Sequence, residues 1–287
     1  MTSAGIRQPV FAGSWYPARA SDCEKQISDF LAEGQALTPA EKDAVGGIVP
    51  HAGWYFSGSI ACNVIRCLQS GTPVDTVVIF GMHLHPRSPR YIMTEGAWGT
   101  PFGELPVEEE LAALLAEKFA FTLETPNRFT QDNTIELQLP FIKYFFKDVK
   151  IVAMGVPPHT DSLAVGRAAV EMARQLGLSI KVIGSTDLTH YGRNYGMVLQ
   201  GTGTQAVDWV RNENDRAVID AMLDLNPENV IVEAQSNQNA CCAGAAATAI
   251  ETAKHLGAGG ATEIAYATSY DKSPGDSFVG YVGIVFG

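Results

Sequence analysis

His51, His83, His85 and His190, with Asp187, Cys241 and Cys242, are the side chains of this 287-residue chain whose types suit metal binding or proton transfer. His51 stands in "GGIVPHAGWYFSG", where an apolar run stops at Pro50 and gives way to a loop rich in glycine and aromatic residues. His83 and His85 follow "TVVIFGM", and His190 follows "KVIGSTDLT". His159 lies just past "IVAMGVPP", so five of the six histidines trail an apolar run and only His255 does not. An ordinary turn has no need of an imidazole, whereas imidazole is the commonest metal ligand and exchanges protons near neutrality. His159, after two prolines, reads as a surface or hydrogen-bonding residue. His255, late in a helix, is favoured there by the helix dipole.

Asp187 and His190 sit three positions apart in "STDLTHYG", which can bring them to one side of a tight turn. A carboxylate directed at an imidazole raises its basicity and fixes its tautomer, as a proton shuttle needs; the competing reading is an Asp cap beside an unrelated histidine. Cys241 and Cys242, in "NQNACCAGAAATAIETAKHL", open an alanine-rich helix. A thiol at a helix N-terminus is biased toward thiolate, the form that binds metals or attacks electrophiles. Small residues around the pair allow one of the two to be a space-filler instead. Two imidazoles and a thiolate suit Fe(II), Cu or Zn, and three protein ligands leave positions open for water, dioxygen or substrate.

The elements that must position these groups are short Val- and Ile-rich runs alternating with helical patterns. Strands are expected at 46–50, 75–81, 150–156, 180–186, 263–269 and 279–286. They show little polar alternation, as strands covered on both faces do. Helices are expected at 21–34 with a Ser21/Glu24 capping box, at 59–71 with a stop at Gly71, from Pro106 onward, and at 160–177. Others follow at roughly 204–224, 226–235 and 241–256. Such alternation implies an α/β fold with a mainly parallel central sheet and helices on both faces. The short "YDKSPGDS" loop permits antiparallel pairing of the last two strands. Ligands of such sheets bind where the strands' carboxyl ends open into loops, which is where the histidines gather.

Composition narrows the classes. With 20 basic against 31 acidic residues, a net charge of −11 disfavours nucleic acid. No linker, repeat or low-complexity tract divides the chain, so residues 1–287 read as a single domain. No signal pattern and no bilayer-length apolar run is evident, which points to the cytoplasm and away from membranes. Five cysteines, an odd and sparse count, suit a reducing compartment. Cys23 and Cys67 fall on apolar helix faces and read as buried hydrophobes. Cys62 carries no signal.

Five stretches in order, "RQPVFAGSWYPA" (7–18), "PHAGWYFSG" (50–58), "TIELQLPF" (134–141), "GSTDLTHYG" (184–192) and "ACCAG" (240–244), resemble the motifs of the Memo family, and the tail "SFVGYVGIVFG" resembles its end. Bacterial and archaeal members are called AmmeMemoRadiSam system protein B where they accompany AMMECR1-like and radical-SAM proteins. The family is similar in fold to the class III extradiol ring-cleaving dioxygenases, which use non-haem Fe(II). The resemblance implies a site of two histidines and a cysteine: His51 first, His83 second with His85 as its alternate, and Cys241, with Cys242 in place of the family's glycine. It places Asp187 and His190 beside the metal, the histidine resembling the dioxygenases' acid/base residue. It also marks Asn133 as a departure, the family having histidine there.

Three functions are expected from this reading. The first is a redox metalloenzyme using Fe(II) or Cu. The second is a non-catalytic protein gripping a peptide or partner in a pocket lined by Trp15, Trp54, Tyr55, Asn133 and Cys242. The third is a Zn hydrolase. The partners implied are a small-molecule or peptide ligand and, from the resemblance, AMMECR1-like and radical-SAM proteins.

Overall fold

The apolar runs that lack polar alternation become strands buried on both faces. The computed structural model describes residues 5–34, 43–69 and 73–287. The chain begins with β1 (Ile6–Arg7), α1 (Ala20–Glu33), β2 (Gly46–Val49), α2 (Ser59–Cys67) and β3 (Thr76–Gly81). Next come β4 (Arg90–Met93), β5 (Ala97–Thr100), β6 (Gly103–Pro106), α3 (Glu109–Lys118), β7 (Phe121–Glu124), α4 (Asn133–Glu136) and α5 (Leu139–Phe146). Then follow β8 (Lys150–Gly155), α6 (Leu163–Gln175), β9 (Ile180–Ser185), β10 (His190–Tyr191), α7 (Thr204–Trp209) and α8 (Asp215–Leu223). The chain closes with α9 (Pro227–Asn237), α10 (Ala243–Leu256), β11 (Ala261–Thr268) and β12 (Phe278–Phe286).

The main sheet runs β10–β12–β2–β9–β3–β8–β4–β7, with β11 also paired to β12. Its centre, β2–β9–β3–β8, is parallel, and every residue of β2, β3 and β9 is buried. Antiparallel strands extend it on both flanks, β12 against β2 and β4 against β8. The last two strands pair antiparallel through their short connection, as expected. Helices cover both faces. A Cβ on Gly47 would strike Val64 of α2, while one on Gly184 would strike Ala249 of α10. Gly47 pairs with Ile183, so Gly47 and Gly184 point to opposite faces. This is the helix-covered α/β sheet expected of a class III extradiol dioxygenase-like fold.

Several local expectations shift for physical reasons. α1 starts at Ala20 behind Arg19, without a side-chain cap, so Ser21 and Glu24 lie inside the helix rather than boxing its end. Pro106 closes β6, where its missing N–H is tolerated at a strand end, and the glutamates Glu109 and Glu110 form the first turn of α3. The helix expected at 204–224 is broken by a π-helical segment, Val210–Asn214. Gly71 lies outside the described residues. β4, β5, β6 and β7 were not legible, because each is only four residues long and mixes polar with apolar positions.

Candidate metal centre

Parallel pairing sends the carboxyl ends of β2, β9 and β3 to one edge, with β9 in the middle. Strand spacing puts the ends of β2 and β3 roughly 10 Å apart, within reach of two facing imidazoles. His51 extends from the end of β2. After β3 the chain turns through Met82, whose φ of 72° lies in the left-handed region that bulky side chains rarely adopt. The Thr134 hydroxyl accepts the Met82 N–H at 2.7 Å, fixing that turn and aiming His83 back across β9. Cys241 and Cys242 arrive from the third direction. Gly244 allows this: a Cβ there would collide with the backbone of Val156 and Pro157.

The three directions converge. Nε2 of His51 lies 3.2 Å from Nε2 of His83 and 3.3 Å from Sγ of Cys241. Sγ of Cys242 is 3.8 Å from that of Cys241, and donor atoms of all four residues lie within 4.8 Å of one another.

Hydrogen bonding sets the tautomers. The Ser185 hydroxyl donates to the Thr134 carbonyl at 2.7 Å, so toward Nδ1 of His51, 3.0 Å away, Ser185 Oγ acts as acceptor. His51 therefore carries its proton on Nδ1 and presents the Nε2 lone pair to the group. Nδ1 of His83 lies 3.1 Å from an Asp132 carboxylate oxygen, which leaves Nε2 of His83 free in the same way. Two nitrogen lone pairs 3.2 Å apart beside a sulfur repel unless a cation lies between them. A ring N–H held by a carboxylate or hydroxyl oxygen is the usual support of a metal-binding histidine. The residues present thus fit a metal ion on their own geometry.

Electrostatics agree. Burial opposes thiolate at Cys241, but the Cys242 thiol and the imidazoles of His51 and His83 outweigh it and hold Cys241 well below the usual thiol range. Burial, with the neighbouring Cys241, pushes Cys242 the other way. His83 is raised to about 10: burial disfavours its charge, but Asp132 and Cys241 more than compensate. Asp132 drops to about 2, since its bonds from His83 and Thr134 outweigh its own burial.

Hydrogen bonds from several sides pin the strand end itself. Oδ1 of Asp187 accepts the His51 N–H at 2.7 Å, and the Asp187 carbonyl accepts the Cys241 N–H at 3.1 Å. Asn133 donates to the His51 carbonyl at 2.8 Å, and Gln138 to the Pro50 carbonyl at 2.9 Å. Asp187 is thus tied to two of the donor-bearing segments at once. Burial raises its carboxyl, partly offset by His51.

Above the donors opens a cavity of about 530 Å³ lined by His51, His83, Asn133, Asp187, His190 and Tyr195, with Trp15 and Tyr55 toward its mouth. Ser14, Ser269, Ser273, Ser277 and Tyr281 add hydroxyls. His190 packs against the ring of Tyr195 at a centroid distance of 5.0 Å.

Four expectations need correction. Trp54 does not line the cavity: it is buried, stacks on Phe141 at 4.1 Å, and donates its indole N–H to the Leu137 carbonyl. Cys242 is not a cavity residue either, being buried beside Cys241 among the donor atoms. The Asp187 carboxylate serves His51 rather than His190, and no hydrogen bond joins Asp187 to His190 among the described residues. His85 stays outside the group, exposed, with its Nδ1 facing the Arg87 N–H. His159 does behave as a hydrogen-bonding residue, accepting from the Asp161 N–H.

The sequence reading passed over Asp132, Ser185, Thr134 and Tyr195. Asp132 had a signal, since Asp two residues before Thr134 reads as a helix cap, and its Oδ1 does accept the Thr134 N–H. Ser185 and Tyr195 had none.

Fold and donor set together define an α/β protein with a histidine–cysteine group at the carboxyl ends of its parallel strands. The model of the Memo-like protein family matches residues 7–285, and the chain belongs to that family. It is 33% identical over 292 residues to a MEMO1 family protein of Pyrococcus furiosus, covering 98% of each. It is 34% identical to one of Methanopyrus kandleri, again over 98% of each. An uncharacterized protein of Escherichia coli, 12% identical, superposes with a TM-score of 0.54 over 84% of this chain and 99% of that one, a likeness of fold. Among the described residues no helix is long and apolar enough to cross a membrane.

Proposed function

We propose that the chain is a metal-dependent oxidoreductase whose ion, Fe(II) or Cu, is held by His51, His83 and Cys241 beneath the cavity. The observation that supports this best is the pair of Nε2 atoms 3.2 Å apart, each ring tied through Nδ1 to a partner of its own. Either ion would supply one-electron chemistry to a small-molecule or peptide ligand seated in the cavity. The chain's own residues do the rest. Trp15 and Tyr55 offer flat apolar surface at the mouth, and the serine hydroxyls orient polar groups of the ligand. An imidazole nitrogen of His190 takes and returns the ligand's proton. Asp187 holds the His51 and Cys241 backbones in register. A cytoplasmic setting suits five cysteines that form no disulfide among the described residues. AMMECR1-like and radical-SAM proteins are the macromolecular partners to test first.

Elemental analysis of protein purified without added metal tests the reading. About one Fe or Cu per chain is expected, lost in His51→Ala and in Cys241→Ala, with oxygen uptake on adding catechols. Metal content unchanged in both variants contradicts it. Zinc in place of Fe or Cu moves the assignment to a hydrolase.

A second reading has one observation in its favour: Trp15 and Tyr55 are 42% and 65% exposed, as partner-binding aromatics are. In that reading the protein grips a peptide without turning it over, and stripping the metal leaves peptide affinity unchanged.

A further inference from the structure

Cys242 is buried, takes no part in lining the cavity, and has as its polar neighbour the sulfur of Cys241. Its thiol is free. The two cysteines are adjacent, so their Cα atoms stand about 3.8 Å apart across a trans peptide, short of the roughly 4.4–6.8 Å usual for a disulfide. Two sulfurs that are close but badly placed for bonding to each other can both face a third atom.

The distances suit such an atom. In a tetrahedral site with metal–sulfur bonds of about 2.3 Å and metal–nitrogen bonds of about 2.0–2.1 Å, sulfur–sulfur edges are about 3.8 Å and nitrogen–nitrogen edges about 3.3 Å. Mixed edges are about 3.5 Å in the same geometry. The protein shows 3.8 Å between Sγ atoms, 3.2 Å between Nε2 atoms and 3.3 Å from His51 Nε2 to Cys241 Sγ. The remaining donor pairs fall within 4.8 Å, a gap that small side-chain rotations close.

We propose that Cys242 is a fourth donor, so that the resting site is a tetrahedral shell of two imidazole nitrogens and two cysteine sulfurs suited, of the two ions named above, to copper as Cu(I). This rests on the reading that His51, His83 and Cys241 hold an ion, and it extends that reading. Soft sulfur ligands favour Cu(I) over Fe(II) bound by nitrogen and oxygen, and Zn(II), which takes the same tetrahedral set, serves as a probe of it. With four protein ligands in place, a group in the cavity reaches the ion only as a fifth ligand or by displacing Cys242.

X-ray absorption on the full chain loaded with Zn(II) counts the sulfurs directly. The wild-type protein is expected to show two sulfur scatterers at about 2.3 Å, and Cys242→Ala one, with zinc affinity lowered at least about tenfold. Cys242→Val, which refills the buried volume, guards against a variant that fails to fold and is expected to match Cys242→Ala. A single sulfur in wild type, or two in both variants, overturns the proposal. Failure of the underlying reading has a different signature: Zn(II) uptake unaffected by His51→Ala and Cys241→Ala, whatever the sulfur count.

Discussion

At the floor of the cavity His51 and Asp187 are almost wholly enclosed and hydrogen-bonded to each other, His51 also to Ser185; toward the mouth Trp15, Tyr55 and Tyr195 stand exposed on a loop and two short helical turns. The floor is built by strand ends whose positions the sheet register dictates. The mouth is built by segments outside the sheet, Ser14–Trp15, the π-helical turn that begins at Trp54, and Ser269–Ser277 among them. A rigid floor under a mouth built outside the sheet is the arrangement expected where the metal chemistry is fixed and ligand choice varies.

The two tryptophans separate the regions most sharply. Trp54→Ala removes a buried ring stacked on Phe141 and is expected to cost about 3–5 kcal/mol in urea unfolding. A loss under about 1 kcal/mol would mean that Trp54 belongs to the mouth after all. Asp132→Asn attacks the floor from the side, leaving Nδ1 of His83 without its carboxylate. Metal affinity is expected to fall about 10- to 100-fold, measured by chelator competition, with the fold unchanged.

The same pair gives a pH signature in the ion-free protein. The raised His83 contributes stability fully below its ordinary value of 6.5 and loses it as the pH climbs toward about 10. The depressed Asp132 contributes above 3.8 and loses it as the pH falls toward about 2. The melting temperature is therefore expected to decline from pH 6.5 upward in wild type, and less steeply in Asp132→Asn. Identical slopes would detach His83 from Asp132. The smallest effect is expected at the mouth. Trp15→Ala should leave metal content intact, change stability by no more than about 1 kcal/mol and weaken ligand capture.

The floor was more legible in the sequence than the mouth, and for a physical reason. His51 could be read because it directly ends an apolar strand, and strand ends converge whatever the loops do. The choice between His83 and His85 could not be read, because it turns on the left-handed conformation of Met82, and methionine gives no sign of adopting it. Trp54 misled because its neighbours Ala52, Gly53, Tyr55 and Phe56 do line the cavity, while a π-helical turn from Trp54 to Gly58 buries this one ring. Asp187 drew notice in the sequence as a proton-shuttle partner of His190 three residues on, whereas strand pairing sets its carboxylate against His51. The short strands β4 to β7 were lost because four residues carry too little periodicity to distinguish strand from loop.

Anomalous diffraction from crystals grown with a stoichiometric metal ion tests the central claim most directly. One peak is expected, about 2.0–2.1 Å from Nε2 of both His51 and His83 and about 2.3 Å from Sγ of Cys241. A peak at His85 or His159 instead, or no peak near His51 at full loading, would contradict it.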